Sequence, residues 1–407
     1  MEIRPILSAL MRSKVSMILI GLQVALTLAI VCNALFIIGQ RLDRMGRPSG
    51  MNEADTFTLS SSGFGQGFDV RATMDADIAL LRALPGVAGA TVINSTPLSN
   101  SGWSSGVQLK ADQKTPNADA AFYFVDDQGL KALDAKLIAG RDFKASEIGF
   151  RTLDKSVAPP GVIITAALAA TLFPGQGAVG KQVYIDDPKT APPTTVLGVV
   201  ERLQTPWVGG SYAGIEYSVI QPQRFVFGNT SNYLVRAEPG RRDEVMKRVE
   251  DKLAASNPSR IVRSVHTIES VRTEAYAGDR SMAIILGAVI FALLTITALG
   301  IVGMASFWVA QRTRQIGTRR ALGATRRDVL RYFQTENFII TTMGLVAGGI
   351  LTYAFSLWMM QNYQSPRLPW YYVPIGFVCL WVLGQLAVLG PALRASRVPP
   401  AVATRSV

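Results

Sequence analysis

One glycine-rich stretch of the sequence has most of the spacing of a nucleotide-binding P-loop. In FPGQGAVGKQVYI, four residues separate Gly175 from Gly180 and Lys181. A P-loop needs Ser or Thr directly after the lysine to ligand Mg²⁺, and a helix whose N-terminal amides hold the phosphates. Gln182 follows the lysine here, and residues 183–185 alternate like a strand. The sequence therefore predicts a glycine-rich turn that enters a strand, without nucleotide chemistry.

Three other features have residue types that could do chemistry. GFGQGF (63–68) has phosphate-loop glycines, but no helix pattern follows, so a flexible turn is expected. SNSGWSSG (99–106) offers a nucleophilic serine or a ligand contact. His266 is the only histidine of the chain, so metal clusters and most serine triads lack their parts. We therefore expect no catalytic residue and no metal site, and a surface or packing role for His266.

Four long apolar segments must position everything else. Of the 407 residues, 49% are hydrophobic and only 17% are charged. A helix that spans a bilayer needs about 20 apolar residues at about 1.5 Å each. Four segments qualify, and the second is long enough to continue as a stalk. The predicted spans are residues 15–38, 281–310, 338–359 and 370–391.

The arginines predict the orientation of these spans. Residues 311–332 contain seven arginines against one acid, Asp328, whereas the other short loop has only Arg367. Short loops rich in Lys and Arg stay in the cytoplasm. The arginine-rich loop and both termini, 1–14 and 392–407, are thus predicted to be cytoplasmic, and 39–280 to be outside.

Charge and cysteine usage restrict the class further. The net charge is +12, but residues 39–280 hold 27 basic and 26 acidic residues, so the excess lies in the flanks of the spans. A nucleic-acid binder would want a basic face on its folded domain. Cys32 and Cys379, the only cysteines, both fall in predicted spans, so no disulfide is expected outside. Bulky Val31 before Cys32 argues against a lipoprotein signal, and the first span is interpreted as an uncleaved anchor.

The large loop is predicted to be an α+β domain, because candidate strands alternate with short helices. Its ends must meet near the membrane, which favours a subdomain of residues 52–115 plus 230–275 with 120–225 inserted. The predicted helices are 75–84, 130–137, 166–173 and 243–255, and the predicted strands are 107–109, 122–125, 162–165, 183–185, 195–200 and 233–236.

The arginine-rich loop has the pattern of two short helices. Ile316 and Leu322 suit an amphipathic turn that Gly323 ends, and Thr325 with Asp328 forms a capping-box pattern for the next helix. The arginines either only fix the orientation or also form a protein-binding surface. Two capped turns favour the second interpretation, since a partner groove recognises such a face.

Several motifs resemble one family. The loop TRQIGTRRALGATRRDVLRYFQTENFII is similar to that of MacB/FtsX-like permeases of type VII ABC transporters. The resemblance extends to GRDF (140–143), ITAALAATLFPGQGAVGKQVYI (164–185), VLGVVERLQTP (196–206) and PALRASRVPPAVATRSV (391–407). It implies four transmembrane helices, with a large α+β extracytoplasmic domain between helices 1 and 2, in the bacterial inner membrane.

The resemblance also implies partners. An ABC ATPase dimer, with ATP and Mg, would be held by the loop, where Thr318 replaces a commonly aliphatic residue. The chain has no intact P-loop and only 14 residues before the first span, so the ATPase is expected on a separate chain. A second permease copy or a related permease would complete a dimer, with a periplasmic adaptor and an outer-membrane channel as further candidates. The ATPase-coupling residues are expected to be Arg314, Ile316, Gly317, Arg319, Arg320, Ala321, Leu322 and Gly323.

Two functions remain open on this basis. One is ATP-driven mechanotransmission that exports peptide, antibiotic or lipid-linked cargo, and the other is a non-transporting relay or sensor that controls an external enzyme. Small residues allow close helix contacts, either within the chain or in a dimer. The candidates for helix packing are Gly300, Gly303, Gly344 and Gly348, and Gln23 and Asn33 offer hydrogen bonds.

Overall fold

A computed structural model describes residues 14–111, 113–152, 158–185, 192–209, 214–363 and 366–399. The chain divides into two compact units. We call Met1–Met45 with Asp279–Val407 the membrane unit, and Gly46–Gly278 the inserted domain. Of the predicted terminal segments, residues 1–13 and 400–407 lie outside the described residues.

All described strands lie in the inserted domain, between the first long helix and the second. In chain order they are α1 (Lys14–Met45), β1 (Thr56–Gly63), α2 (Val70–Ala83), β2 (Val87–Val92), β3 (Trp103–Val107), β4 (Ala118–Val125), α3 (Gly129–Leu133), β5 (Leu137–Gly140), β6 (Gly149–Arg151), β7 (Gly161–Thr165), α4 (Ala166–Leu172), β8 (Gln182–Val183), β9 (Thr194–Val200), β10 (Ser218–Phe225), β11 (Thr230–Ala237), α5 (Arg242–Ser256), β12 (Arg260–Thr267), α6 (Ile268–Ala275), α7 (Ala277–Gln311), α8 (Thr313–Ala321), α9 (Arg326–Tyr363) and α10 (Tyr372–Ser396).

Four helices of the described chain, α1, α7, α9 and α10, are long and apolar enough to cross a membrane. The 35 residues of α7 extend about 52 Å at 1.5 Å per residue, well beyond the roughly 30 Å of a bilayer core. The predicted span 338–359 lies within α9, which already begins at Arg326 and ends at Tyr363. The last helix begins at Tyr372, two residues later than predicted, and continues through Pro391 to Ser396.

Helix packing in the membrane unit centres on α1. Ile20, Val24, Leu28 and Cys32 are buried at intervals of four residues, the spacing of one helix face. That face packs against α9 and α10, where glycines allow close approach. The membrane unit is thus a helix bundle with α1 at its core.

The inserted domain contains two sheets. The smaller sheet has the antiparallel order β12-β1-β11-β2. Helices α2 and α5 cover one of its faces through a core that includes Phe57, Leu59, Leu81 and Val245. The larger sheet has the order β3-β4-β10-β7-β9-β5, and β6 and β8 pair with β10 and β9. The fold is therefore α+β, as the alternating strand and helix patterns predict.

Two local predictions are wrong. Strand β3 pairs with β4 along Trp103–Val107, so residues 103–107 belong to the larger sheet and not to the subdomain 52–115. The Trp103 ring also packs edge-on against Phe124, at 6.1 Å between centroids. The predicted helix 130–137 ends at Leu133, because Asp134 takes a left-handed conformation with φ 57° and Leu137 begins β5.

The glycine-rich stretch is a turn, as predicted. Gly175 and Gly180 have φ angles of 70° and 83°, values that favour glycine. The Gly180 amide donates to the Val196 carbonyl over 2.8 Å, and the ammonium of Lys181 lies 4.7 Å from the centre of the Phe173 ring. Strand β8 follows at Gln182–Val183, shorter than the predicted 183–185. Lys181 therefore packs on the surface of the inserted domain.

Candidate functional site

The arginine-rich loop, residues 311–332, is an ordered elbow between α7 and α9. Its helix α8 is anchored by Ile316, which is only 6% exposed. Ile316 packs in a small core with Val329 and Phe333 of α9 and with Ala392 and Ala395 of α10. The short helix is therefore fixed by apolar contacts with two neighbouring helices.

A glycine and a capping box define the bend. Gly323 follows α8 with φ 101°, a conformation that side chains disfavour. The Thr325 amide donates to the Asp328 carboxylate over 2.9 Å, and the Asp328 amide donates back to the Thr325 hydroxyl over 3.3 Å. The first bond satisfies the Thr325 amide, and the second adds to the bond of the Asp328 amide with the Thr325 carbonyl at the start of α9. The predicted capping box is confirmed.

One arginine of the elbow caps the last helix. Arg320 donates to the carbonyl oxygens of Ser396 and Val398, over 3.1 and 2.6 Å. These carbonyls lie at the C-terminal end of α10, where unpaired oxygens and the helix dipole favour a cation. Arg320 thus ties α8 to α10.

A second arginine forms a buried ion pair that sequence reasoning missed. Arg312 donates to both carboxylate oxygens of Glu336, over 2.9 and 3.0 Å. The Glu336 side chain is 1% exposed and that of Arg312 is 17% exposed. Removing one partner of such a pair leaves a buried charge uncompensated. The pair therefore fixes the end of α7 against α9.

The outer side of the elbow combines exposed arginines with one apolar residue. Leu322 is 84% exposed, the highest value among the large hydrophobic residues of the described chain. Arg314 and Arg319 are also exposed, and the Arg319 guanidinium lies 5.0 Å from the centre of the Tyr332 ring. The further exposed arginines are Arg326, Arg327 and Arg331.

The structure separates the predicted coupling residues into two groups. Ile316 and Gly317 are buried, and Arg320 is bonded to α10, so these three position the elbow. The other five are exposed and form what we call the outer face: Arg314, Arg319, Ala321, Leu322 and Gly323.

The predicted packing glycines also differ from one another. A Cβ on Gly344 or Gly348 would lie 2.7 Å from the Gly21 carbonyl oxygen or 2.8 Å from that of Ala25, so α1 and α9 are in backbone contact there. A Cβ on Gly300 would meet the Gln23 side chain at 2.6 Å, whereas one on Gly303 has nothing of the described chain within 4 Å.

The two polar residues predicted to bond either within the chain or across a dimer make bonds within the chain. Gln23 donates to the Ile296 carbonyl of α7 over 3.0 Å, and Asn33 donates to the Thr352 carbonyl of α9 over 3.4 Å. Both bonds therefore support helix packing inside the membrane unit.

An ion pair joins the two ends of the inserted domain. Arg272 of α6 donates to the Glu53 carboxylate over 2.5 and 2.6 Å, and the Ser49 hydroxyl also donates to Glu53. Burial raises the pKa of Glu53, but the hydrogen bonds from Arg272 and Ser49 outweigh it, so the pKa lies below the ordinary 4.5. The segment that follows α1 is thus bound to the helix that precedes α7.

Four membrane-crossing helices, an α+β domain between the first and second, and a fixed basic elbow between the second and third define an integral-membrane permease. The chain belongs to the MacB-like ABC exporter permease family. The model of the MacB-like periplasmic core domain matches residues 23–252, more than half of the chain. The model of the FtsX-like permease C-terminal region matches residues 287–400.

Named relatives are exporters. The chain is 23% identical over 368 residues to the macrolide export ATP-binding/permease protein MacB of Pasteurella multocida, covering 87% of this chain and 52% of that protein. It is 30% identical over 128 residues to the pyoverdine export ATP-binding/permease protein PvdT of Pseudomonas syringae, covering 31% and 20%. The chain thus spans about half the length of this MacB protein and a smaller part of the PvdT protein.

One solved structure similar to the chain is the periplasmic region of MacB from Actinobacillus actinomycetemcomitans. It is 15% identical, covers 57% of this chain and 97% of that structure, and has a TM-score of 0.35.

Proposed function

We propose that this chain is the permease subunit of an ATP-driven exporter, and that its elbow docks on a cytoplasmic ABC ATPase on a separate chain. ATP and Mg²⁺ bind the ATPase, and the permease transmits the resulting movement. The observation that carries the proposal is the outer face, where Leu322 is 84% exposed beside exposed arginines.

The outer face has the chemistry of a docking surface. An apolar side chain at the end of a short, fixed helix fits a groove of a partner, and arginines bond the carboxylates around such a groove. The buried core around Ile316 keeps this face in one conformation. A preformed face loses little entropy when it binds.

The same anchors would transmit force. A push on α8 reaches α10 through Arg320, and it reaches α9 through Arg312 at the end of α7. Helix α7 continues, after one residue, from α6 of the inserted domain. In this proposal, ATP-driven movement of the elbow therefore drives movement of the inserted domain on the outer side of the inner membrane.

The cargo of the proposed exporter is a peptide, antibiotic or lipid-linked molecule. Support comes from the names of two relatives, one a macrolide exporter and the other a pyoverdine exporter. A second copy of the permease or a related permease would complete the complex, and an adaptor with an outer-membrane channel would extend it.

The central test is association with the ATPase. Arg319→Glu combined with Leu322→Asp places repulsive and polar groups on the outer face, so we expect loss of ATPase co-purification with normal membrane insertion. The matched control is Leu393→Asp with Arg394→Glu, an exposed pair of the same residue types at the end of α10. Unchanged co-purification of the elbow variant would refute the docking assignment.

Transport is tested separately. ATP hydrolysis by the purified complex should rise with transported cargo, and deletion of the chain should abolish export of that cargo. If no cargo changes the rate of ATP hydrolysis and deletion causes no export defect, the exporter hypothesis is refuted in favour of a non-transporting relay.

Orientation has its own experiment. Thr318 is exposed on α8, so Thr318→Cys provides a labelling site when Cys379 is replaced by serine. A membrane-impermeant thiol reagent should label it only after spheroplasts are lysed. Labelling of intact spheroplasts would place the elbow outside and exclude contact with a cytoplasmic ATPase.

A further inference from the structure

The inserted domain has a groove on the open face of its smaller sheet. Phe57 and Leu59 of β1 point into the core, so the alternation of a strand places Thr58 and Ser60 on the opposite face. Asn232 lies opposite Ser60 on β11, and His266 lies opposite Thr58 on β12. These four polar residues all line the groove.

Two segments form the walls of the groove. One is residues 93–101, which follow β2 at one edge of the sheet, and the other is α6, which follows β12 at the opposite edge. The cavity has a volume of about 560 Å³. Pockets of roughly 300–1,000 Å³ hold small ligands. On the sheet, the groove is lined by residues of β12, β1 and β11.

The backbone around the groove is held in unusual conformations. Leu98, Asn100 and Ser264 have φ angles of 69°, 56° and 55°, and they are three of the four non-glycine residues of the described chain with positive φ. Such strain persists only where the surroundings impose it, and it clusters at binding sites. The amides of Leu98 and Asn100 are held by the carbonyls of Thr205 and Pro206, over 3.4 and 2.9 Å.

The lining defines the chemistry of a ligand. It consists mainly of hydroxyl and amide side chains, which both donate and accept hydrogen bonds, as the amide groups of a peptide do. Glu274 is the only carboxylate among the described lining residues. The floor is formed by β12, β1 and β11, so it is about 10 Å wide for three strands about 4.8 Å apart. About three residues of extended chain have this length.

We propose that this groove binds an extended peptide of about three residues, through its backbone amides, and that Glu274 favours a basic side chain. The chain's hydroxyls and amides recognise the backbone, so binding tolerates different sequences. Because a peptide is one of the cargo classes of the proposed exporter, this site rests on the proposed function, but peptide binding itself requires neither ATP nor an ATPase.

The single histidine gives a direct measurement. Full-length protein in nanodiscs, purified without a histidine tag and labelled with ¹³C-histidine, has one imidazole signal, that of His266. We expect acetyl-Ala-Ala-Lys-Ala-Ala-amide to shift this signal saturably at millimolar concentration, and the analogue with glutamate in place of lysine to bind more weakly. Maltotriose serves as the non-peptide probe. A shift with maltotriose alone, or with neither probe, would overturn the proposal.

Matched variants locate the site. Ala275→Trp fills the groove from α6 and should abolish the shift, whereas Thr273→Trp, on an exposed position of the same helix outside the lining, should not. Glu274→Gln should weaken the lysine peptide about threefold to fivefold, the effect of an ion pair open to solvent. The exposed control Glu250→Gln should change nothing. Equal affinity in Ala275→Trp would place the peptide elsewhere.

Because the experiment measures binding to the permease alone, its result does not depend on the elbow. Loss of ATPase association with intact peptide binding would refute only the docking assignment. Loss of peptide binding with intact ATPase association would refute only the groove.

Discussion

Helices α1 and α7 are similarly apolar but packed very differently. Their most apolar stretches have mean hydropathies of 2.3 and 2.7, yet 56% of that stretch is buried in α1 and only 11% in α7. Hydropathy alone thus does not decide which helix forms the core of the membrane unit.

The distribution of small and polar residues explains the difference. The α1 backbone meets Gly344 and Gly348 of α9, and Gly376 of α10 packs against Cys32. Helix α7 is buried only along Thr297, Ile301, Ala305 and Trp308, a narrow stripe with helical spacing. Its remaining surface is left to lipid or to another polypeptide. Apolarity therefore predicts a span, whereas small residues on neighbouring helices predict its packing.

The largest expected effect concerns the end of α7. Glu336→Ala leaves Arg312 largely buried without its carboxylate, so we expect a loss of about 3–5 kcal/mol of stability. Thermal unfolding in detergent measures it. Replacing both residues by methionine should restore most of the stability, because a buried pair and an apolar pair differ little. Equal losses in the single and double variants would show that α7 is not anchored by this pair.

The next effect tests the core position of α1. Gly348→Leu forces a side chain into the backbone of Ala25, and overpacking costs about 1–3 kcal/mol. Gly303→Leu on α7, where a Cβ has nothing of the described chain within 4 Å, should change stability by less than about 0.5 kcal/mol. Similar thermal shifts in the two variants would remove the contrast between the helices.

A smaller effect tests the contact between α1 and α7. The hydroxyls of Thr27 and Thr297 are 2.8 Å apart and buried. Thr297→Val removes this bond, and hydrogen bonds between membrane helices contribute about 0.6 kcal/mol on average. Thr295→Val, on an exposed position of α7, is the control. Indistinguishable unfolding temperatures for the two variants would mean that the stripe is held by apolar contacts alone.

The smallest effect is the pH dependence of stability that comes from the ion pair between Glu53 and Arg272, near the two ends of the inserted domain. The pKa of Glu53 is lowered on folding, so its contribution is complete above the ordinary pKa of 4.5 and is lost as pH falls through the folded pKa. Below pH 5, the free energy of unfolding of the wild type should therefore fall more steeply than that of Glu53→Gln. The difference should correspond to the titration of about one carboxyl group. Parallel pH profiles would exclude a role for the Arg272 pair.

The sequence predicts local features of this fold better than distant contacts. The four spans and the capping box of Thr325 and Asp328 follow from composition and from spacing within a few residues. The pairing of β3 with β4 was missed because neighbouring loops gave no sign of a hairpin. The sequence does not reveal the Arg312–Glu336 pair, because the two residues are 24 positions apart in the chain. They meet only through the way in which α7 and α9 pack together.

The candidate sites show the same limit. The basic elbow was visible in the sequence, but the burial of Ile316 and Gly317 was not, since it depends on α10. SNSGWSSG offers a ligand contact by its residue types, and the sequence predicts only a surface or packing role for His266. Strand pairing between β1 and β12 places residues from both in one groove, and no short-range pattern contains that information.

The hydrogen bonds of Arg320 have a mechanical consequence. Because its guanidinium donates to carbonyl oxygens at the end of α10, rotation of α8 about Gly323 would break these hydrogen bonds. A force applied to α8 would therefore act on α10 through Arg320 as well as on α9 through the core around Ile316.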